Sequence, residues 1–153
     1  MRISIRAVVI KDSHLLVMDR NKFGFKYMSL IGGAKEPNES EIETLHREVW
    51  EESSIKISDP KLIIIEDAGS VYGIQYIYLC NYLSGEVKLS DDSDEAKINK
   101  EGKNLYKPIW LPLKDLSSST LLPQELKELL TEFVNSGFPQ NPVKLNINQQ
   151  RRF

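Results

Sequence analysis

The chain has 153 residues, 41% of them hydrophobic and 27% charged, with a formal net charge of −2 at pH 7. That is enough apolar material for one domain with a real core, leaves no room for a second domain, and excludes a largely disordered chain. The slightly negative balance, with no basic stripe along any predicted element, argues against an extended nucleic-acid footprint, and no apolar run is long enough to span a membrane.

In chain order, Ile3 to Ile10 and Leu15 to Arg20 read as strands joined by a hairpin-like turn at Lys11-Asp12-Ser13. The first of these is too short, and too promptly followed by charge, to be a signal peptide. Asn21 to Lys26 reads as a loop, in which Lys22 and Lys26 join Arg20 as cations within reach of a phosphate or simply in solvent. A helix follows, with Pro37 and Asn38 in its approach, a Ser40-x-x-Glu43 capping box at its start and Ile42, Leu45 and Val49 as its apolar stripe. Asp59-Pro60 breaks the chain; Leu62 to Asp67 and Ile74 to Leu83 are strands, with Gly69 and Gly73 flanking their connection. Cys80, the single cysteine, sits in that second strand as a small buried residue without an intrachain partner, which suits a reducing, cytoplasmic setting.

Asp91 to Lys103 is charged and poor in apolar residues, hence a loop; Leu105 to Leu111 is a strand; Leu122-Pro123 opens a helix whose Leu126, Leu129, Leu130 and Phe133 form a core face. Strands and helices interleave, so the expected architecture is α/β with a mixed sheet and helices on both faces, over residues 1–134. The tail, 135–153, holds Gly137, Pro139 and Pro142 and then alternates from Val143 to Ile147, a pattern that suits an edge strand, a partner-facing arm in a homodimer, or a frayed end.

Most informative are Glu48, Glu51 and Glu52. Three and four residues apart on a helix, they share one face. Like charges so placed repel by a few tenths of a kcal/mol per pair on an isolated helix, a cost that a bound divalent cation removes. Hard cations such as Mg²⁺ take oxygen ligands and typically bridge carboxylates to substrate phosphates. Arg47 among them has the planar fork that can hold a carboxylate in one rotamer. The other reading of this face is a salt-bridged surface helix.

Together Gly33, Glu39, Arg47, Glu48, Val49, Glu51, Glu52 and Ile55 follow the spacing G-x5-E-x7-R-E-U-x-E-E-x-G-U, with U apolar, and so this segment resembles the Nudix box. Six specified positions agree by chance about once in 10⁷ starts. Ser54 departs from the pattern, standing where the family has glycine. Upstream, Met28 to Gly33, with Gly32, is similar to the family's approach to the box; downstream, Asn104 to Leu113 is similar to its late strand and turn. The resemblance covers most of residues 3–134 and implies an αβα sandwich and a MutT-like hydrolase of nucleotide pyrophosphate bonds.

It also implies roles. Glu48, Glu51 and Glu52, with the Gly33 carbonyl, would hold Mg²⁺ or Mn²⁺, and Arg47 and Glu39 would position them. The general base would be a box glutamate or an acid from the Asp91–Lys103 segment, Glu95 before Glu101. Tyr72 stands near where some relatives stack a tyrosine on a base, with packing as the plainer reading. The expected reaction is cleavage of a nucleoside diphosphate linked to another group; the alternatives are a house-cleaning nucleoside triphosphate pyrophosphohydrolase and a non-catalytic nucleotide-binding module.

Overall fold

The computed structural model of the chain describes residues 2–147. In β1 (Ile3–Lys11) alternation sends Ile5, Ala7 and Val9 to one face and Val8 to the other, all essentially buried, so the strand needs cover on both sides. Asp12 and Ser13 both take positive φ, 50° and 61°, as a two-residue turn between right-twisted strands requires, and the chain returns as β2 (His14–Lys22).

The remaining elements are β3 (Phe25–Ala34), α1 (Glu41–Ser53), β4 (Lys56–Asp67), α2 (Gly69–Tyr72), β5 (Ile74–Ser84), α3 (Asp94–Asn99), β6 (Asn104–Pro112), α4 (Gln124–Ser136) and β7 (Val143–Asn146), with a short 3₁₀ turn at Leu113–Asp115. The strands form one mixed sheet in the order β6-β2-β3-β1-β5-β4-β7, in which β1 runs parallel to β5 and β4 parallel to β7. α1 covers one face through Leu45 and Val49, packed on Ile5, Ala7, Leu16 and Ile31. On the opposite face Leu126, Leu130 and Phe133 of α4 pack with Val8, Val17, Ile64 and Ile77. The result is a sheet between two helical layers, as the interleaved elements led us to expect.

Four local expectations are corrected. The Asn21–Lys26 segment is a hairpin rather than a loop: β2 and β3 stay paired to Lys22 and Phe25, and Phe23 and Gly24 turn the chain with φ of 53° and 91°. Its polar residues hide the strand because this end of the hairpin stands in solvent. Asp59-Pro60 does not break the chain but sits inside β4, where the pairing with β5 shifts between Ser58 and Lys61; such an irregularity is where a strand tolerates proline. Asp94–Asn99 in the acidic segment is helical, capped by Ser93, whose Oγ accepts the Ala96 N–H at 3.0 Å. Ile42 is 39% exposed and does not belong to the buried stripe of α1, which instead takes in Thr44, Leu45, Val49, Glu52 and Ser53. In the tail, Val143–Asn146 adds β7 to the edge beside β4, and residues 148–153 lie outside those described.

Candidate active site

The start of α1 forms as its sequence dictates. Ser40 Oγ accepts the Glu43 N–H at 3.1 Å and the Glu43 carboxylate accepts the Ser40 N–H at 2.9 Å, a reciprocal capping box. At the other end Ser54 adopts the left-handed conformation, φ 60°, in the place where the box pattern has glycine, and its hydroxyl donates to Lys88 O at 2.7 Å. Between these ends the helix delivers its acids to three depths. Glu52 is 6% exposed, the side chain of Glu48 is 12% exposed and that of Glu51 is 41% exposed.

Arg47 ties the acids together. Its Nε and Nη2 donate to the two Glu39 oxygens at 2.6 and 2.8 Å, a bidentate pair, while Nη1 reaches Glu48 at 3.0 Å and Glu51 at 3.3 Å. Glu39 also accepts from Thr44 Oγ1 and from the Glu36 N–H. These contacts, the Arg47 hydrogen bond first, lower the Glu39 carboxyl to about 2. A charged Glu39 therefore anchors the loop before α1 to the guanidinium that faces Glu48 and Glu51.

The two glycines ahead of the helix are there for close approach. A Cβ on Gly32 would stand 2.0 Å from the Ile5 carbonyl oxygen, and one on Gly33 would stand 2.6 Å from the Glu48 carboxyl. Glu48 thus lies directly against the β3 backbone, and the Gly32 N–H donates to Glu52 Oε1 at 3.3 Å.

Glu95 reaches the same place from far along the chain. Lys88 N–H to Ser53 O and Ser90 N–H to Glu51 O, 2.8 and 3.0 Å, lash the strand leaving β5 to the end of α1. Asn99 clamps the other end of α3 to β6, donating to Tyr106 O at 2.8 Å and accepting the Tyr106 N–H at 2.7 Å. The first turn of α3 then sets Glu95 beside Glu48, Glu51 and Glu52. Burial, and after it the neighbouring acids, raise its carboxyl. Burial likewise raises Glu51, against the pull of Arg47, and raises Glu52 well above 4.5, with Glu48 adding to the effect.

Glu48, Glu52 and Glu95 line a cleft of about 420 Å³ whose other walls include Arg6, Arg20 and Tyr106. Arg20 lies over the Tyr106 ring at 3.6 Å, donates to the Tyr27 hydroxyl at 2.8 Å, and also holds Asn104 Oδ1. Tyr72, on α2, lines the same cleft, as does Lys22. Lys26 and Glu101 do not line it, and both are exposed on the surface. His14 is occupied locally by Asp12 O at 2.6 Å, and Cys80 is buried, its thiol pushed up to about 12 by desolvation. Pattern reading passed over Arg6, Tyr27, Gln75 and Tyr106. A lone charged residue in the mostly apolar Ile3–Ile10 run was the available signal for the first.

As the side chains stand, no three acidic, imidazole or thiol groups among the described residues converge on one point to enclose a cation. Glu48 and Glu51 lean on Arg47 instead. The donor set nonetheless suits a hard divalent ion: oxygen ligands only, mutually repelling and partly desolvated, beside a glycine whose missing side chain leaves them space.

Residues 1–133 match the sequence profile of the NUDIX domain. The chain belongs to the Nudix family. Among curated proteins it is 25% identical over 108 residues to "8-oxo-dGDP phosphatase NUDT18" of Danio rerio, an alignment covering 71% of this chain and 33% of that protein. The chain thus spans about a third of the length of the relative it matches. Among solved structures it superposes on an ADP-ribose pyrophosphatase from Streptococcus suis with a TM-score of 0.66 at 19% identity, covering 95% of this chain and 98% of the other. A MutT protein from Bacillus halodurans gives 0.66 at 16% identity, covering 99% and 94%. At such identities the superpositions establish the Nudix fold. Among the described residues no helix is long and apolar enough to cross a membrane.

Proposed function

We propose that this Nudix protein is a divalent-metal-dependent hydrolase that splits the pyrophosphate bond of a nucleoside diphosphate linked to another group. One observation carries the reading: Glu48 and Glu52 from α1 and Glu95 from α3 meet in one cleft that also holds Arg6 and Arg20. Acids to hold a cation and guanidinium groups to hold phosphate oxygens are the two halves of a site for a metal-complexed diphosphate.

In this reading Glu48, Glu51 and Glu52, with the Gly33 carbonyl, hold Mg²⁺ or Mn²⁺. Such an ion neutralises charge on the phosphate oxygens and makes water a better nucleophile at neutral pH. Arg47, braced by Glu39, positions Glu48 and Glu51. Arg20 lies at the phosphate end with Tyr106 and Tyr27 supporting its guanidinium. Glu95 is the leading candidate to take the proton of the attacking water, because its raised affinity for a proton brings it closer to the working pH. Glu51 and Glu52 are the alternatives for that role.

A second reading draws on the similarity to the zebrafish protein named as an 8-oxo-dGDP phosphatase: removal of damaged or surplus guanine nucleotides. Incubating the full chain with Mg²⁺ and a panel of diphosphate-linked nucleosides, nucleoside diphosphates and triphosphates, with products resolved by chromatography, separates the readings. Release of a nucleoside monophosphate from a linked diphosphate supports the first. Turnover only of unlinked nucleoside triphosphates, with pyrophosphate released, or of nucleoside diphosphates, with phosphate released, supports house-cleaning. Saturable binding by calorimetry without any product would mean a binding module.

A further inference from the structure

Arg20 sits at the centre of a row that crosses three strands: its register partners are Tyr106 on β6 and Tyr27 on β3. Residues so paired project to the same face with Cβ atoms about 5 Å apart. It is the face that carries α1, because Leu16 and Met18, four and two residues earlier in β2, pack there with Leu45 and Val49. The Arg20 guanidinium is held by neutral groups throughout. Its Nε donates to Leu105 O at 3.2 Å, Nη1 to the Tyr27 hydroxyl and Nη2 to Asn104 Oδ1, and its central carbon lies 3.6 Å from the centre of the Tyr106 ring. No carboxylate among the described residues pairs with it. A cation ligated in this way is aimed without being neutralised, and its field is left for an anion in the cleft.

Tyr106 is fixed more firmly than its place near the start of β6 requires. Asn99, the last residue of α3, spends both ends of its amide on this one residue, donating to Tyr106 O at 2.8 Å and accepting the Tyr106 N–H at 2.7 Å. The ring is fixed in turn by the guanidinium above it. What remains is the hydroxyl, which lines the cleft with its residue and has no hydrogen-bond partner among the described residues. Burial raises this phenol and Arg20 opposes the rise, while Glu95 and Glu52 add to it. The group is therefore a protonated donor at neutral pH. Its electrostatic neighbours are the cation on β2 and the acids that α3 and α1 bring to the cleft.

We infer that Tyr106 is a substrate-contacting residue whose hydroxyl donates to an oxygen of the phosphoryl group that Arg20 attracts. Two neighbouring strands then supply a two-part receptor: a single O–H aimed at one oxygen, and beside it a guanidinium whose charge serves the whole group. Because the backbone and ring of Tyr106 are already held, bringing its hydroxyl to bear costs little ordering when substrate arrives. A donor placed in advance acts most strongly where negative charge gathers on the phosphoryl oxygens, and the tyrosine neither gives up nor takes a proton in doing so. The plainer role for this side chain is a shelf beneath Arg20, for which the ring suffices and the oxygen is idle. The two roles part at a single atom.

The inference rests on the hydrolytic reading for its reaction, and a binding measurement keeps the two apart. Tyr106→Phe in the full chain leaves the ring beneath Arg20 and both backbone bonds to Asn99, and removes only the oxygen. With whichever substrate the nucleotide panel identifies, its kcat/KM should fall about 10- to 100-fold, as loss of a hydrogen bond to a charged group does. Calorimetric affinity for the non-hydrolysable α,β-methylene analogues of ADP and GDP, with Mg²⁺ present, should fall by about 3-fold or more. The melting temperature in EDTA and the affinity for Mn²⁺ without nucleotide should stay at the parent's values, since the shelf and the acids are untouched. Parent-like turnover and analogue affinity overturn the assignment. So does a loss of activity matched by a lower melting temperature or weaker Mn²⁺ binding, which would make the hydroxyl part of the scaffold. Analogue binding that depends on the hydroxyl, with no hydrolysis of any substrate by the parent, supports the contact and refutes the enzyme.

Discussion

Glu52 should destabilise the fold in which it sits. Its carboxylate is 6% exposed, takes one N–H from Gly32 at the long distance of 3.3 Å, and is pushed well above the ordinary carboxyl range by burial and by Glu48, with Arg6 opposing. A buried ion costs several kcal/mol, of which Arg6 and Gly32 return part, leaving a net penalty of about 1–3 kcal/mol at neutral pH. Glu52→Gln keeps the shape and removes the charge. In EDTA at pH 7.5 the variant should therefore melt about 3–10 °C above the parent. Mg²⁺ or Mn²⁺ at about 100 times its dissociation constant should stabilise the parent by about 2.7 kcal/mol and the variant hardly at all.

The pH dependence follows from the same shift. A carboxyl whose folded pKa is raised binds its proton more tightly in the folded state, so its contribution is fully favourable below the unfolded value near 4.5 and is lost as pH rises through the folded one. In EDTA the parent should weaken as pH climbs from 5 towards 8, with Glu51 and Glu95 adding in the same direction. Glu52→Gln should flatten that decline. A variant that melts below the parent in EDTA, or one that keeps the full metal-induced shift, would refute this reasoning.

Arg47→Lys keeps the charge but gives up the two-pronged grip on Glu39 at 2.6 and 2.8 Å, so metal affinity or turnover should fall about 10- to 100-fold; unchanged metal titration curves would argue against a positioning role. Glu95→Gln should lower kcat by about 10²- to 10⁴-fold with a smaller change in KM, and a loss below 10-fold would hand the base role to Glu51 or Glu52. Ser54→Ala retains the left-handed backbone and loses the hydrogen bond to Lys88 O, a cost of about 0.5–1.5 kcal/mol by denaturant unfolding. Ser54→Gly loses the same bond but relieves about 1 kcal/mol of backbone strain, so its stability should stay within about 0.5 kcal/mol of the parent; equal damage from both variants would show that strain at this position is negligible.

What could be read from the chain was what repeats locally. The capping box, the placing of Glu48, Glu51 and Glu52 on one side of a helix, and the apolar face of the last helix are set by spacings of three and four residues, and all appear in the fold. Alternation likewise marked β1 and the core of β5. Where alternation fails, reading failed: the solvated hairpin hid much of β3, and α3 was missed because six mostly polar residues carry no apolar stripe.

The composition of the cleft lay beyond such reading. Glu95 joins the α1 acids through backbone hydrogen bonds from Lys88 and Ser90 to the end of α1 and through Asn99 on Tyr106, none of which leaves a mark on neighbouring residues. Arg6 meets Gln75 across 69 residues of chain, and Glu66 faces Gln75 only because β4 and β5 pair in one register rather than the next. A one-residue slip of β4 along β5 would send the Glu66 side chain to the opposite face and leave Gln75 without it. The sequence by itself determined a helix able to present acids to a cation, because that presentation needs only helical geometry. Which side chains stand across from those acids was decided by strand order and register, and these depend on how the whole core packs.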